Sequence, residues 1–261
     1  MRVIDLDDRH RGLFGECLED WSADIKEAGD RRARWVERAL GRGLRAKLAL
    51  DDEGKVGGMI QYLPVQHSHV DGEGLYFILC VWVHGYPQGR GNFQGQGMGG
   101  ALLEAAEADA RALGAKGMAA WGLWIPVWMK ASWFKKHGYR KADRQGLSVL
   151  VWKPFADDAR APRWFPKTGK RLPEESGKVC VTAFSSGYCA AQNLTVERAR
   201  RAAAQAGARV VFREVDTSER SAVAEWGFAE ALFVDGKAVR TGPPPTLEKL
   251  RRLIEKRVRK L

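Results

Sequence analysis

The chain has 261 residues, 45% of them hydrophobic and 29% charged, and its formal net charge at pH 7 is +11. It is long enough for one large domain or two ordinary ones, each with a buried core. No apolar run approaches the roughly 18 residues of a membrane span, and the charged N-terminus is not typical of a secretion signal, so we expect a cytoplasmic protein without membrane contact.

The cysteines and the basic residues identify no particular ligand. Cys17, Cys80, Cys180 and Cys189 are spaced for neither a zinc cluster nor a disulfide framework, which predicts reduced thiols and no bound metal. A positive net charge attracts anions of every kind, including nucleic acid, acidic membrane surfaces and phosphate-bearing cofactors. Charge alone therefore does not choose among these partners.

Helices and strands alternate over the first 154 residues. The patterns predict a helix at 23–40, strands at 44–50, 56–65 and 75–83, a glycine-rich stretch at 85–100, a helix that Gly114 ends, a strand at 118–124, a short helix at 130–137 and a strand at 147–152. The strand Leu75–Val83 has nine apolar residues without interruption, which indicates burial on both faces at the centre of a sheet.

The sequence changes character at residues 155–177, where prolines and charges without periodicity predict a linker. A second alternation follows, with strands at 179–184, 210–215, 231–234 and 237–241 and helices at 190–206, 218–226 and 246–261. We therefore predict a first domain at 1–154, a linker at 155–177 and a second domain at 178–261.

A strand, a run of glycines and a helix together form a place for phosphates, because the free N–H groups of the first helical turn and the helix dipole attract anions. The spacing of Gly95, Gly97 and Gly100 satisfies the dinucleotide pattern, but roughly ten residues separate it from the strand and no carboxylate lies at 117–126. A nucleotide P-loop would need Gly-Lys-Ser or Gly-Lys-Thr, and neither is present.

A family resemblance gives a third interpretation of the glycines. The run Gln94-Gly95-Gln96-Gly97-Met98-Gly99 resembles the Q/R-x-x-G-x-G/A signature of the GNAT superfamily of acyl-CoA N-acyltransferases. Residues 133–139 (WFKKHGY) resemble the F-Y-x-x-x-G-F signature near the end of that superfamily, and 75–83 resembles its central strand. Residues 181–237 resemble the small thioredoxin-like domain that follows the acyltransferase domain in YoaP-like proteins.

The resemblance implies a mixed α/β fold, with a GNAT-type mixed sheet flanked by helices and then a small thioredoxin-like domain. It also implies acetyl-CoA as the acyl donor. The residues implied to bind this thioester are Val81, Trp82 and Val83 in the strand, Gln94, Gly95, Gln96, Gly97, Met98, Gly99 and Gly100 in the loop, and Phe134.

Catalysis of amine acylation needs a group that removes a proton from the amine. The candidates are Glu73 and His84, which flank the central strand. Tyr62 and Cys80, the latter within that strand, are weaker ones. Each also has an ordinary structural explanation, as a hairpin charge, a loop residue or a core residue. Phe134 stands where the superfamily has a proton-donating tyrosine, and phenylalanine has no proton to donate.

Three further patterns have structural explanations that we prefer. Residues 66–71 (QHSHVD) could ligate a metal, but a solvated hairpin loop is expected. The tryptophans 121, 124, 128 and 133 fit a core, with an acceptor pocket as the alternative. The last helix carries a basic face that we expect to be solvated, with a nucleic-acid contact as the alternative.

We expect an enzyme that transfers an acetyl group from acetyl-CoA to a primary amine, whose identity the sequence does not indicate. The alternative is a non-catalytic protein that binds or senses acyl-CoA and uses its second domain for interactions. A nucleic-acid-binding protein has only the net charge in its favour, and no sequence feature indicates an oligomeric state.

Overall fold

The computed structural model describes residues 1–125 and 127–261. Its elements in chain order are β1 (Arg2–Asp5), α1 (Arg11–Gly15), α2 (Ala23–Glu27), α3 (Arg31–Leu40), β2 (Arg45–Leu50), β3 (Val56–Pro64), β4 (Val70–Asp71), β5 (Leu75–Val83), β6 (Gly85–Tyr86), β7 (Gly91–Asn92), α4 (Met98–Ala112), β8 (Gly117–Leu123), α5 (Ala131–Lys136), β9 (Arg140–Gln145), β10 (Ser148–Pro154), β11 (Arg163–Trp164), β12 (Val179–Ser185), α6 (Ala190–Gln205), β13 (Val210–Asp216), α7 (Arg220–Trp226), β14 (Ala231–Val234), β15 (Lys237–Val239) and α8 (Leu247–Val258). None of the described helices is long and apolar enough to cross a membrane.

The chain divides into two compact units, of which the first comprises Met1–Trp21 and Val36–Phe165. Its seven-stranded sheet has the order β1-β2-β3-β5-β8-β10-β9. Only β5 and β8 run parallel, and the other neighbours are antiparallel. The mixed α/β fold is therefore as the resemblance implied, and β5 is central in the sheet, as its apolar run predicted.

Helix α4 covers one face of this sheet. Leu102, Leu103, Ala106 and Ala110 are buried in the main core, as their spacing predicted, whereas Leu113 at the end of the pattern is exposed. Every third or fourth residue of a helix shares a face, so this stripe fixes how α4 lies on the sheet. Because α4 begins at Met98, the same packing also fixes the position of its N-terminus relative to the sheet.

The second unit comprises Ser22–Trp35 and Pro166–Leu261. Its sheet has the order β13-β12-β14-β15, with β12 parallel to β13 and antiparallel to β14. All seven residues of β12 are buried, and α6 and α8 contribute to the same core. The second unit is thus a small α/β sheet with its own hydrophobic core.

The segment Ser22–Trp35 packs with the second unit through ion pairs. Arg198 on α6 contacts Asp24 at 2.9 Å and Glu27 at 2.8 Å, and Arg201 contacts Glu27 at 2.7 Å. The single helix predicted at 23–40 is instead two helices, α2 and α3. The positive φ of Gly29, +69°, lies between them and explains the break.

Part of the segment predicted as a linker belongs to the first unit. Arg163 and Trp164 form β11, which pairs with β4. The backbone N–H of Trp164 donates to Asp143, and the side chain of Gln145 donates to the carbonyl of Phe165 at 3.0 Å. These contacts join residues far apart in sequence, so periodicity gave no sign of them.

Candidate functional site

The glycine turn before α4 presents free amide groups to one cleft. Gly97 caps the helix with φ +81°, and Gly95 has φ +79°. Residues with a Cβ seldom adopt this left-handed backbone region. A Cβ at either residue would meet no atom within 4 Å, so both glycines border open space. Ala101 is the first residue whose N–H bonds back into the turn, to the carbonyl of Gly97. The preceding N–H groups and the dipole of α4 make this turn suited to a phosphate.

The cleft has a volume of about 480 Å³ and contains most of the residues that the sequence analysis selected. Those lining it are Val81, Trp82, Val83, Gln94, Gly95, Gly97, Met98, Gly99, Gly100 and Phe134. Gln96 is the exception, because its side chain turns back to donate to the carbonyl of Asn92 at 3.2 Å. The rest of the wall comes from Phe93, Val127, Trp128, Met129, Lys130 and Trp133. The sequence analysis did not assign these six residues to the cofactor.

The cleft opens where two parallel strands cease to pair. The β5–β8 ladder covers Leu75–Ile78 and ends there, although β5 continues to Val83. Beyond it the carbonyl of Leu79 accepts the indole N–H of Trp121 at 2.8 Å. The N–H of Val81 donates to the sulfur of Met129 at 3.4 Å, and a thioether is a weak acceptor. This amide is therefore available to a better acceptor, such as a carbonyl oxygen.

A β-bulge sets which side chains of β5 face the cleft. In the pairing of β5 with β3, Leu79 has no partner residue. Ile78 and Val81 therefore lie on the same face of the sheet, packed on α4, although residues three positions apart on a regular strand point to opposite faces. Cys80 is consequently turned to the opposite face, where it is buried and does not line the cleft. The bulge thus separates this predicted catalytic thiol from the space a ligand would occupy.

Glu73 lies at the far end of the same strand. It is exposed in the turn before β5, and Val81 is near the other end. Leu75 and Val81 are six residues apart on an extended strand, a separation of about 20 Å. The carboxyl group of Glu73 therefore does not reach the cleft, and it takes no part in the chemistry proposed below.

His84 is completely buried, with both ring nitrogens occupied. Nε2 accepts the indole N–H of Trp21 at 3.2 Å, and Nδ1 lies 2.6 Å from the carbonyl oxygen of Gly91. Since an indole N–H only donates and a carbonyl only accepts, the proton must be on Nδ1 and Nε2 must be bare. A second proton on Nε2 would displace Trp21. His84 therefore holds the β6–β7 hairpin and is not free to act as a base.

Tyr62 is also engaged. Its hydroxyl donates to Asp109 at 2.6 Å, and Asp109 forms ion pairs with Arg45 and Lys47. Burial and the neighbouring carboxylate raise the pKa of Tyr62 far above its usual value. The hydroxyl therefore keeps its proton at neutral pH and does not serve as a base.

Glu19 is a carboxyl group that the sequence analysis did not consider. Its side chain is partly buried near His84, and this burial raises its pKa. His84 directly follows Val83, which lines the cleft. Glu19 is therefore a titratable carboxyl group near the cleft end of β5, unlike Glu73. Nothing in its local sequence distinguishes it from other acidic residues.

Phe134 is buried beneath the cleft. Its ring packs against Trp133 and Tyr139, with centroids 5.0 and 5.4 Å away. The hydroxyl of Tyr139 is buried as well, and that burial, together with Glu107, raises its pKa well above the usual value. Neither Phe134 nor Tyr139 therefore offers a proton to the cleft.

Residues 66–71 form part of an aromatic core contact. The ring of His69 stacks on Trp164, with centroids 5.9 Å apart, and meets the edge of Phe77 at 4.8 Å. Burial lowers the pKa of His69 to about 4, so it is neutral at pH 7. Among the described residues, no group of three or more histidine, cysteine or acidic side chains is arranged to bind a metal ion.

Comparison with known families agrees with the geometry of the cleft. Residues 13–124 match the model of the acetyltransferase (GNAT) family, a stretch that includes β5, the glycine turn and α4. This part of the chain is therefore similar to a GNAT acetyltransferase domain. The sequence matches no protein of curated function.

Solved structures with a similar fold are distant in sequence. A GNAT family N-acetyltransferase from Escherichia coli (YhbS), in complex with CoA, is 17% identical with a TM-score of 0.45, over 62% of this chain and 88% of that one. A GNAT family acetyltransferase from Brucella melitensis, in complex with acetyl-CoA, is 19% identical with a TM-score of 0.42, over 61% and 90%. Likenesses of this size leave the substrate of this chain open.

Proposed function

We propose that the first unit is an acyl-CoA-dependent N-acyltransferase that moves an acetyl group from acetyl-CoA to a primary amine. The observation that carries the proposal is the convergence of two features on one cleft. The N-terminus of α4 supplies free amides for phosphates, and among the described residues the N–H of Val81 donates to a sulfur atom. A coenzyme A thioester needs both, one at each end of its pantetheine arm.

In this proposal the residues of the cleft bind and orient both substrates. The turn at Gly95–Gly100 holds the pyrophosphate, and the unpaired edge of β5 holds the pantetheine. The N–H of Val81 exchanges the sulfur of Met129 for the thioester carbonyl and stabilises the negative charge that develops on its oxygen. The nitrogen of the neutral amine forms a bond to the carbonyl carbon and the C–S bond breaks. The proton that the nitrogen loses goes to solvent water, and the thiolate leaves into solvent. Positioning alone supplies several kcal/mol of such a barrier.

Release of free thiol is the direct test. Acetyl-CoA is incubated with the protein and a panel of primary amines, and a thiol reagent follows the coenzyme A that is set free. We expect amine-dependent release with at least one class of acceptor. Binding of coenzyme A with no thiol release from any amine would favour the alternative, a non-catalytic protein that binds or senses acyl-CoA. The observation behind that alternative is Phe134, which cannot protonate the leaving thiolate.

Phe134→Leu is expected to weaken coenzyme A binding modestly, by roughly 2- to 10-fold, without changing the pH dependence of turnover. A smaller side chain at this buried position loses packing against the pantetheine, but phenylalanine has no proton to transfer. Calorimetry gives the affinity, and kcat/KM between pH 6 and 9 gives the profile. Phe77→Leu is the matched control, because Phe77 is equally buried but outside the cleft. A changed pH profile in Phe134→Leu would show that position 134 governs proton transfer.

We propose that the second unit is a thioredoxin-like domain without disulfide oxidoreductase activity, reached through a linker within 155–177. The order of its strands, with β14 antiparallel to β12, supports this proposal. Cys189 caps α6, but position 192 is glutamine, and Glu230 precedes β14. Disulfide exchange needs a second thiol to resolve the mixed disulfide. The four cysteines form no disulfide in the part of the chain described, which agrees with the reducing cytoplasm that we propose as its location.

Thiol labelling and insulin reduction test this assignment. In the second unit we expect a maleimide to label Cys189, at the start of a helix, and to leave Cys180 unlabelled, because Cys180 is 5% exposed within β12. Insulin reduction should stay at background, since the site has one thiol. Sustained reduction by the protein that disappears in Cys189→Ser would contradict the proposal.

A further inference from the structure

One methionine is bonded to both strands at the place where β5 and β8 cease to pair. Leu123, at the end of β8, pairs with Ser148 of β10 on one side and with Lys130 on the other, the side from which β5 has departed. The carbonyl of Met129 accepts the N–H of Leu123 at 2.7 Å, and its sulfur accepts the N–H of Val81 on β5 at 3.4 Å. Met129 therefore connects the end of β8 to the amide at which we place the thioester carbonyl.

The backbone of Met129 is fixed, whereas its side chain can adjust. The φ of Met129 is +48°, in a region that residues other than glycine seldom adopt, so the surrounding structure must hold it there. A Cβ at Gly122 would lie 2.8 Å from the carbonyl oxygen of Met129, which shows how closely the two backbones pack. The sulfur, in contrast, belongs to an unbranched side chain with three rotatable bonds. A change at the sulfur can therefore be accommodated without moving the backbone.

Met129 is also the methionine of the fold that is most accessible from the cleft. It lines the cleft and is 7% exposed, whereas Met59, Met98 and Met118 are at most 1% exposed. The remaining methionine, Met1, is at the chain terminus and is 52% exposed. Methionine sulfur is oxidised to the sulfoxide, which converts an apolar side chain into a polar one. A small oxidant that enters the cleft thus meets Met129 before the other internal methionines.

We propose, resting on the acyltransferase function above, that Met129 is an oxidation site and that its oxidation by a hydroperoxide inactivates the cleft. One peroxide oxygen forms a bond to the sulfur, which gives up two electrons, and the O–O bond breaks. The other oxygen leaves as water or an alcohol and takes the proton of the transferred oxygen. The product is a sulfoxide, whose oxygen is a much stronger hydrogen-bond acceptor than the thioether that it replaces.

The two states of Met129 differ in what the thioester must displace from Val81. In the reduced state the carbonyl oxygen replaces a weak sulfur acceptor and gains a hydrogen bond. In the oxidised state it replaces an oxygen acceptor and gains little. We therefore expect oxidation to lower kcat/KM for acetyl-CoA by roughly 10-fold or more, the size of one hydrogen bond. Free coenzyme A has no thioester carbonyl, so its affinity should fall less.

Peptide mass mapping and the amide resonance of Val81 test the modification without requiring turnover. After brief treatment with hydrogen peroxide, we expect one added oxygen on Met129 and on exposed Met1, with little on the other three methionines. In the ligand-free protein, the stronger acceptor should move the Val81 N–H signal downfield. If Met129 stays unmodified while Met1 is oxidised, or if the Val81 signal does not move once Met129 is oxidised, the proposal is wrong.

The kinetics of treated variants test the consequence. Met129→Leu has no sulfur at this position, so its kcat/KM after treatment, compared with its own untreated value, should hardly change. Met98→Leu is the matched control, because Met98 also lines the cleft, and this variant should remain as sensitive as the wild-type protein. Equal fractional losses in Met129→Leu and the wild-type protein would overturn the proposal.

Reversal distinguishes Met129 from the four cysteines. Methionine sulfoxide reductases that act on both sulfoxide epimers should restore activity, and dithiothreitol should not. Recovery with dithiothreitol alone would assign the loss to a thiol and overturn the proposal. If no amine is acetylated even before treatment, the acyltransferase function fails by itself. The Val81 signal and the affinity for acetyl-CoA, measured before and after oxidation, then still decide whether the sulfoxide takes this amide.

Discussion

Gly97→Glu is expected to lose the stabilisation that coenzyme A gives to the wild-type protein. A ligand present at 100 times its dissociation constant raises stability by about 2.7 kcal/mol, which corresponds to roughly 5–10 °C in Tm. No atom lies within 4 Å of a Cβ at Gly97, so the new side chain enters the open space where we place the pyrophosphate. Its carboxylate then repels the phosphates and interacts with the same helix amides. Thermal unfolding with and without coenzyme A measures the difference.

Gly114→Glu provides the matched control at the other end of the same helix. Gly114 has φ +79° and open space around it, so the substitution brings the same backbone strain and the same charge. Both variants should be destabilised when no ligand is present, by about 1–3 kcal/mol. Only Gly97→Glu should lose the Tm shift with coenzyme A. An equal Tm shift with coenzyme A in Gly97→Glu and the wild-type protein would show that the phosphates do not bind at this turn.

The central strand and the helix of the site were predictable because local patterns determine them. Nine apolar residues in Leu75–Val83 demand burial on both faces, and the spacing of Leu102, Leu103 and Ala106 demands one apolar helix face. The length of the extended strand also separates Glu73 from the cleft, a consequence that the choice of Glu73 as a candidate base did not take into account. The apolar pattern of a strand and its extended length both follow from the local sequence.

The orientation of Cys80 and the state of His84 were not predictable from the sequence. The bulge at Leu79 depends on how β3 and β5 pair, and a single extra residue reverses the faces of every residue that follows. His84 takes its tautomer from Trp21, 63 positions earlier, and from Gly91. Such contacts depend on how distant segments meet, which periodicity does not describe.

The packing of Ser22–Trp35 on the second unit has a similar cause. The sequence predicted only a helix here and no partner for its charged residues, two of which, Asp24 and Glu27, bind Arg198. Arg32 in this segment is 3% exposed and donates to the carbonyl of Tyr188. A buried arginine is recognisable only once its acceptor is known, and that acceptor lies more than 150 positions away in the chain.

The second unit is expected to lose stability as the pH rises from 6.5 to 8, and Glu230→Gln is expected to remove this loss. The carboxyl group of Glu230 is buried and accepts a hydrogen bond from Ser186 at 2.8 Å. Burial raises its pKa to about 8, from 4.5, while the hydrogen bond acts in the opposite direction. A carboxyl group with a raised pKa binds its proton more tightly in the folded state. Its contribution is therefore complete below pH 4.5 and is lost as the pH rises through 8.

Within this range, one titrating group changes the free energy of unfolding by about 1.4 kcal/mol for each pH unit. Hydrogen exchange of the β12 amides, corrected for the intrinsic effect of pH, measures this quantity in the second unit. His69 does not disturb the comparison, because its lowered pKa affects stability only below about pH 6.5 and it belongs to the first unit. Glutamine keeps an acceptor for Ser186 but does not ionise, so its profile should be nearly flat. Equal slopes in Glu230→Gln and the wild-type protein would mean that Glu230 is ionised in the folded state at neutral pH.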